Sequence, residues 1–328
     1  MEPVWSCLRA WGKIFRSPAW IRSAIAAAHW RCGRFFWRPI AGHCRRSPSC
    51  SPFRPARQRR TGMADTALRA IAYGDHPRLL LDVHRPEGAG KAPVVVFFHG
   101  GGWRSCARDD VFHGPIGPTL ARAGLLVVLP DYRLYPDACF PAFIDDAARA
   151  VAWARANAET FGGDPRRLVL AGYSAGAHIA TLLAYAPCHL ESCGLARGVV
   201  SGVAGLSGYY DFTADDDPFV SRVFPPDLLA HAAQPARHAD AGAPPSLLVH
   251  GLKDGIVRPE QTDRLEAALL AAGAPVRTMR LPDDDHHSYL QSMHTAPERT
   301  GVLAALAELA RTGALPSSVP DLSKGTCQ

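Results

Sequence analysis

The chain has 328 residues, of which 47% are hydrophobic, 20% charged and 9% aromatic; this suits one large α/β unit with an extension and excludes collagen-like, disordered and disulfide-framework classes. The net charge of +6 is local, because residues 1–62 hold 13 Lys and Arg against the single acid Glu2, and 36 less 13 leaves 23 bases against 29 acids in 63–328. A body of that sign offers no basic face for nucleic acid, and no apolar run reaches the ~18 residues of a membrane span.

The N-terminal stretch is different material. Residues 1–62 hold five of the seven Trp and twelve Arg, and composition changes sharply at Met63. Arg9, Lys13, Arg16 and Arg22 interrupt any apolar core that a secretory signal needs. Val4, Leu8, Trp11 and Phe15 fall at the spacing of a basic amphipathic helix that Pro18 ends, which leaves membrane contact or a transit peptide open. The favoured expectation is that 1–62 is disordered or an upstream stretch foreign to the working protein, with Met63 as its start. A catalytic domain is expected over 63–315, and a tail over 316–328. Nine cysteines without a CxxC pair suggest reduced thiols in a cytoplasmic protein.

From residue 68 strand and helix signals alternate. Leu68–Tyr73 and Leu79–His84 read as short alternating strands. Val94–Phe98, Leu125–Leu129, Leu168–Leu170, Val199–Leu206, Ser246–His250 and Val276–Leu281 follow as further strands. Helical segments are expected at Ile116–Ala123, Ala142–Phe161, Ala175–Ala186, Glu260–Ala272 and Glu298–Arg311. The alternation implies a mainly parallel sheet of about eight strands with helices on both faces, an α/β class whose ligands bind at the carboxyl ends of strands. Residues 213–245, rich in Asp, Pro and Ala, suggest at most a small cap.

Two loops concentrate the chemistry. Gly172-Tyr173-Ser174-Ala175-Gly176 stands between a strand and a helix, where a sharp turn can lift a Ser hydroxyl above the sheet. His99-Gly100-Gly101-Gly102-Trp103 ends a buried strand, and its unobstructed N–H groups suit an oxyanion hole. It carries no Lys with Ser or Thr, as a phosphate cradle would. His99 reads as a structural residue that positions the loop. A nucleophilic Ser needs a base and an orienting acid, both later in the chain in such a fold. Asp254, just past Ser246–His250, is favoured over Asp211 and over Asp215, Asp216 and Asp217. The base lies at the adjacent pair His286 and His287, only one of which can face the site, with His294 as an outside candidate. The cluster Asp283–His287 is disfavoured as a metal site because no second spaced ligand pair accompanies it.

Taken in order, the HGGGW loop, Asp131-Tyr132-Arg133-Leu134-Tyr135-Pro136, Phe140–Asp146, GYSAGAHIA, HGLKD and DDDHHSYL resemble the α/β-hydrolase superfamily over about residues 68–312. More narrowly they resemble its HGGG-type carboxylesterases and lipase-like esterases, close to the kynurenine formamidases. The resemblance implies Ser174 as nucleophile, Asp254 as acid and His286 as base. It places the N–H groups of Gly101, Gly102 and Ala175 at the oxyanion hole, with Gly100 N–H as an alternative donor in some relatives. It also implies that Asp131, Arg133 and Asp146 stabilise the fold. Tyr173 stands where the hormone-sensitive-lipase branch usually has Asp, which moves the reading toward the formamidase side.

The expected activity is therefore hydrolysis of small to medium carboxylic esters through an acyl-enzyme, falling in acid as the imidazole takes up a proton. N-formylkynurenine hydrolysis is the alternative, and a non-catalytic ligand-binding protein of the same fold is the alternative from another class. The partner is a small ester; no metal or organic cofactor is expected. Trp103, Tyr173 and Tyr210 are the expected substrate-lining residues, with Tyr209 and Phe212 beside them, although core packing explains several equally well.

Overall fold

Runs of Val, Leu, Ile and Phe too short for a buried helix become the strands of one sheet, buried from both sides by helices. The computed structural model describes residues 67–88, 90–213, 220–229 and 231–317. By its contacts the chain divides into Met1–Met63 and Ala64–Gln328. The expected basic extension thus lies outside the described residues, and every element below belongs to the second unit.

The strands are β1 (Ala67–Ala72), β2 (Leu80–His84), β3 (Ala92–Phe98), β4 (Leu126–Pro130), β5 (Gly163–Tyr173), β6 (Gly202–Leu206), β7 (Ser246–Gly251) and β8 (Val276–Leu281). Their order in the sheet is β1-β2-β4-β3-β5-β6-β7-β8. The pairs β1/β2 and β2/β4 are antiparallel, and all others are parallel. The two N-terminal strands do not alternate as expected. Apart from half-buried Leu80, β2 is buried throughout, while β1, an edge strand, is mostly exposed.

The helices are α1 (Ile116–Arg122), α2 (Ala142–Asn157), α3 (Ala175–Tyr185), α4 (Cys188–Glu191), α5 (Val220–Val223), α6 (Pro226–Leu229), α7 (Glu260–Ala271), α8 (Ser288–Thr295) and α9 (Val302–Thr312). One face of the sheet packs on α2, α3 and α7, and the other on α1, α8 and α9. The helix expected over Glu298–Arg311 starts only at Val302, because Gly301 takes φ 70° before it. The one expected to run to Phe161 gives way to a 3₁₀ turn, Glu159–Phe161, closed by Gly162 at φ 84°. Helix α8 is an addition to the expected elements. Within the suggested cap, Val220, Val223 and Phe224 are fully buried against the core that includes Trp103, Phe140 and Phe143. Among the described residues Cys106, Cys139, Cys188 and Cys193 are free thiols. No helix among them is long and apolar enough to cross a membrane.

Candidate active site

Strand register brings the chemistry-bearing loops to one edge. Phe98 pairs with Gly172, Tyr173 with Leu206, Leu206 with Val249, and Gly251 with Leu281. The loops after β3, β5, β7 and β8 therefore leave the carboxyl side of the sheet, where such folds bind ligands.

Ser174 turns the chain from β5 into α3 at φ 55° and ψ −119°, a conformation an L-residue adopts only under constraint. The constraint is visible. Its N–H donates to Leu206 O at 2.8 Å, and its flanking glycines are packed against backbone. A Cβ at Gly172 would stand 2.1 Å from Gly176 O, and one at Gly176 would stand 2.1 Å from Phe98 O. The GxSxG spacing is thus a steric requirement of the turn.

Ser174 Oγ lies 3.1 Å from His286 Nε2, and His286 Nδ1 lies 2.6 Å from Asp254 Oδ2. With the Nδ1–H donating a hydrogen bond to the carboxylate, Nε2 presents its lone pair to the hydroxyl. Asp254 Oδ1 accepts the N–H groups of Ile256 and Val257, each at 2.9 Å. Burial pushes the Asp254 carboxyl up, but hydrogen bonds to His250 and His286 outweigh it and hold the group well below the usual carboxylate range. His250 was missed at the level of sequence. Its Nε2 lies 2.9 Å from Val257 O and 3.2 Å from Asp254 Oδ2, and its Nδ1 lies 2.6 Å from Thr262 Oγ1. The ring braces the turn that carries Asp254, and its one sequence signal is a polar residue ending an apolar strand.

The acidic run before His286 builds a turn instead of gathering into one ligand set. Asp283 pairs with Lys253 at 2.9 Å. Asp284, buried, accepts from Arg299 and from Ser288 Oγ. Asp285 accepts the N–H groups of His287 and Ser288. The neighbour His287 faces elsewhere, its Nδ1 2.8 Å from Tyr173 Oη and its ring stacked on Phe112 at 5.5 Å. Tyr173 Oη in turn donates to His286 O at 2.8 Å. Asp211 pairs with Arg237 at 3.2 Å. Asp215, Asp216 and Asp217 lie outside the described residues, and His294 sits half-buried on α8.

In the glycine loop Gly101 and Gly102 take φ 107° and 57°. Ala175 is the first residue of α3, where an N–H has no intrahelical partner and meets the positive end of the helix dipole. The Gly100 N–H is already engaged, donating to His113 Nε2 at 3.0 Å. His99 packs on Tyr132 with ring centroids 4.4 Å apart and contacts Gly100 O through Nδ1 at 2.7 Å; burial holds its imidazole down to about 3. Asp131 pairs with Arg108, and Asp146 accepts from Arg133 and Arg149. Of the expected substrate-lining residues, Tyr173 borders His286 at 4.9 Å between rings. Trp103 and Tyr210, at 1% and 0% exposure, are core side chains here. Trp103 is enclosed by Phe143, His178, Tyr209, Phe212 and Phe224, and the Tyr210 ring closes over Gly205 and Gly208.

Comparisons agree with this architecture. The BD-FAE family matches residues 81–197 and the prolyl oligopeptidase family residues 144–304. Esterase LipC of Mycobacterium tuberculosis is 31% identical over 268 residues, covering 75% of this chain and 66% of that protein. The probable carboxylic ester hydrolase LipM of the same organism is 30% identical over 315 residues, covering 89% of this chain and 70% of that protein. The chain spans about half to two-thirds of the length of the first curated relatives it matches. A solved esterase of Pyrobaculum calidifontis superposes with a TM-score of 0.65 at 22% identity, covering 76% of this chain and 86% of that one, and so shares the fold. With the doubly wound sheet, the GxSxG turn and a 30% identical relative of which it covers 70%, the chain belongs to the carboxylic ester hydrolases of the α/β-hydrolase superfamily.

Proposed function

We propose that this chain is a serine carboxylesterase acting on small to medium carboxylic esters through Ser174, His286 and Asp254. The observation that carries the reading is the continuous hydrogen-bonded chain from Ser174 Oγ through both ring nitrogens of His286 to Asp254 Oδ2. In the first half-reaction His286 Nε2 takes the Ser174 proton as Oγ attacks the ester carbonyl. The oxyanion forms against the N–H groups of Gly101, Gly102 and Ala175, which have no protein acceptor among the described residues. His286 then hands its proton to the departing alkoxide, leaving an acyl-serine. In the second half-reaction His286 draws a proton from water, hydroxide attacks the acyl carbon, and Ser174 recovers its proton as the acid leaves. Support for apolar esters comes from exposed hydrophobic side chains on the loops beside the triad: Val111 and Phe112 follow the glycine loop, and Leu252 and Ile256 flank Asp254, with Val111 83% and Ile256 56% exposed.

The test compares wild type with Ser174→Ala on p-nitrophenyl esters from acetate to decanoate, with N-formylkynurenine alongside. Ester turnover lost in the variant is expected. Faster turnover of the formamide would move the assignment to an arylformamidase, and a folded but inactive wild type to a ligand-binding protein.

A further inference from the structure

Most of the carbonyl groups of the glycine loop have an assigned partner. His99 O accepts from Tyr132 Oη at 2.9 Å, and Gly100 O from His99 Nδ1 at 2.7 Å. Gly101 O accepts from the N–H groups of Arg104 and Ser105, each at 3.1 Å, and from Ser105 Oγ at 2.9 Å. Gly100 N–H donates to His113 Nε2. Of the three glycine amides, those of Gly101 and Gly102, assigned above to the oxyanion, have no acceptor among the described residues. Buried backbone donors take partners wherever one is offered. A side chain thirteen residues downstream thus engages one of three consecutive glycine amides and leaves the other two without an acceptor among the described residues.

We propose that Asp110 and His113 are a positioning pair that sets the oxyanion donors by holding the Gly100 amide; this rests on the esterase reading above. His113 is 2% exposed, and its ring lies between His99, at 5.7 Å, and Tyr173, at 5.8 Å. Because Nε2 accepts from Gly100, the ring proton is on Nδ1, which donates to Asp110 at 2.9 Å. Asp110 is itself fixed by the N–H groups of Ala107, Phe112 and His113, at 3.1, 2.9 and 2.9 Å. The turn is anchored to the sheet through Arg108, which reaches both Asp82 and Asp131. Gly100 also touches the nucleophile's surroundings, since a Cβ there would stand 3.2 Å from Ser174 Cβ and 2.9 Å from the Tyr173 ring. Any rotation of the Gly100 peptide therefore turns the next amide, Gly101 N–H, relative to Ser174.

One rival reading uses the same side chains. Cys106, Asp110 and His113 bring one potential metal ligand atom each within 4.8 Å of one another. Both ring nitrogens of His113 are committed, however, and a metal at Nδ1 would have to displace the proton that Nδ1 donates in its hydrogen bond to Asp110. The two readings exclude each other.

The experiment uses the full chain and p-nitrophenyl butyrate, with an alkyl trifluoromethyl ketone as the probe of oxyanion binding. His113→Leu removes the acceptor for Gly100 N–H. It is expected to lower kcat and trifluoromethyl ketone affinity together by ~10- to 100-fold, with KM within about threefold, a fraction of what losing a whole oxyanion donor costs. His113→Gln, whose Oε1 can accept from Gly100, is expected to recover to within ~10-fold of wild type. Asp110→Ala alters neither Gly100 nor its acceptor and covers the case in which His113→Leu does not fold; it is expected to lower both quantities by ~10-fold as the ring loses its orientation. An active wild type with His113→Leu and Asp110→Ala unchanged in kcat and ketone affinity overturns this assignment alone. So do equal losses in His113→Leu and His113→Gln, or stoichiometric zinc binding that disappears in Cys106→Ser. A wild type that hydrolyses no ester overturns the esterase reading, and this assignment with it.

Discussion

The φ of 55° at Ser174 stores strain of about 1 to 3 kcal/mol, which the surrounding backbone contacts hold in place. At Gly176 those contacts leave no room, and the obstructing atom is Phe98 O, which is part of the sheet and cannot swing aside. Gly176→Ala is expected to destabilise the fold by about 3 kcal/mol, read as a lower urea midpoint. At Asp254 the consequence is chemical. Asn at 254 can still accept from Ile256 and Val257 through one oxygen, but it no longer offers the His286 Nδ1–H a charged acceptor. On the proposed mechanism, Asp254→Asn is expected to keep the thermal midpoint within a few degrees and to lower kcat by ~10³- to 10⁴-fold, as loss of an orienting acid does in Ser-His-Asp triads. A fall of less than tenfold would mean that another group orients the base.

Helices and loops meet at one aromatic cluster. Trp103 comes from the glycine loop, Phe143 from α2, His178 from α3, and Phe224 from the segment after α5. Rings packed edge to face or offset contribute beyond their buried area, so Trp103 ties the glycine loop to α3 and to the short cap. Trp103→Ala is expected to destabilise by about 3 to 5 kcal/mol, and the urea midpoint should fall accordingly. A smaller loss would mean that the cluster closes over the gap. Element boundaries were less legible than element types. Helix α8 is short, and its apolar residues Tyr289, Leu290 and Met293 carry a helical period over only two turns. In β2 the absence of alternation follows from its place between β1 and β4 inside the sheet, a fact of topology and not of local pattern.

Across the molecule, buried imidazoles govern the response to acid. Burial pushes His99 down to about 3 and His178 down to about 4. In the unfolded chain both titrate near ~6.5, so below that pH the unfolded state binds protons that the folded state refuses. Stability then falls by ~1.4 kcal/mol per pH unit for each group, and is fully present only above ~6.5. The Asp254 carboxyl, held low in the folded state, contributes stability that is present above ~4 and lost only in stronger acid, outside this window. Unfolding free energy from urea titrations is expected to drop by about 4 kcal/mol from pH 7 to pH 5, and His178→Phe should shrink that drop by about half. An unchanged drop in the variant would show that the groups responsible lie elsewhere.

Class, strand count and the GxSxG turn could be read from residues because each is a local matter. Five-residue apolar runs are strands, helix-length segments between them make the sheet parallel, and a Ser flanked by Gly at a strand-to-helix junction leaves the backbone few options. Asp254 and His286 could be ranked by chain order, but Gly251 pairing with Leu281 is what brings their two loops together, and the turn at Asp285 sends the adjacent His287 ring to Tyr173 while His286 meets Asp254. His113, Asp110 and His250 carried no motif. Their roles come from contacts between loops distant in sequence, which pattern along the chain does not encode and which packing of the sheet creates.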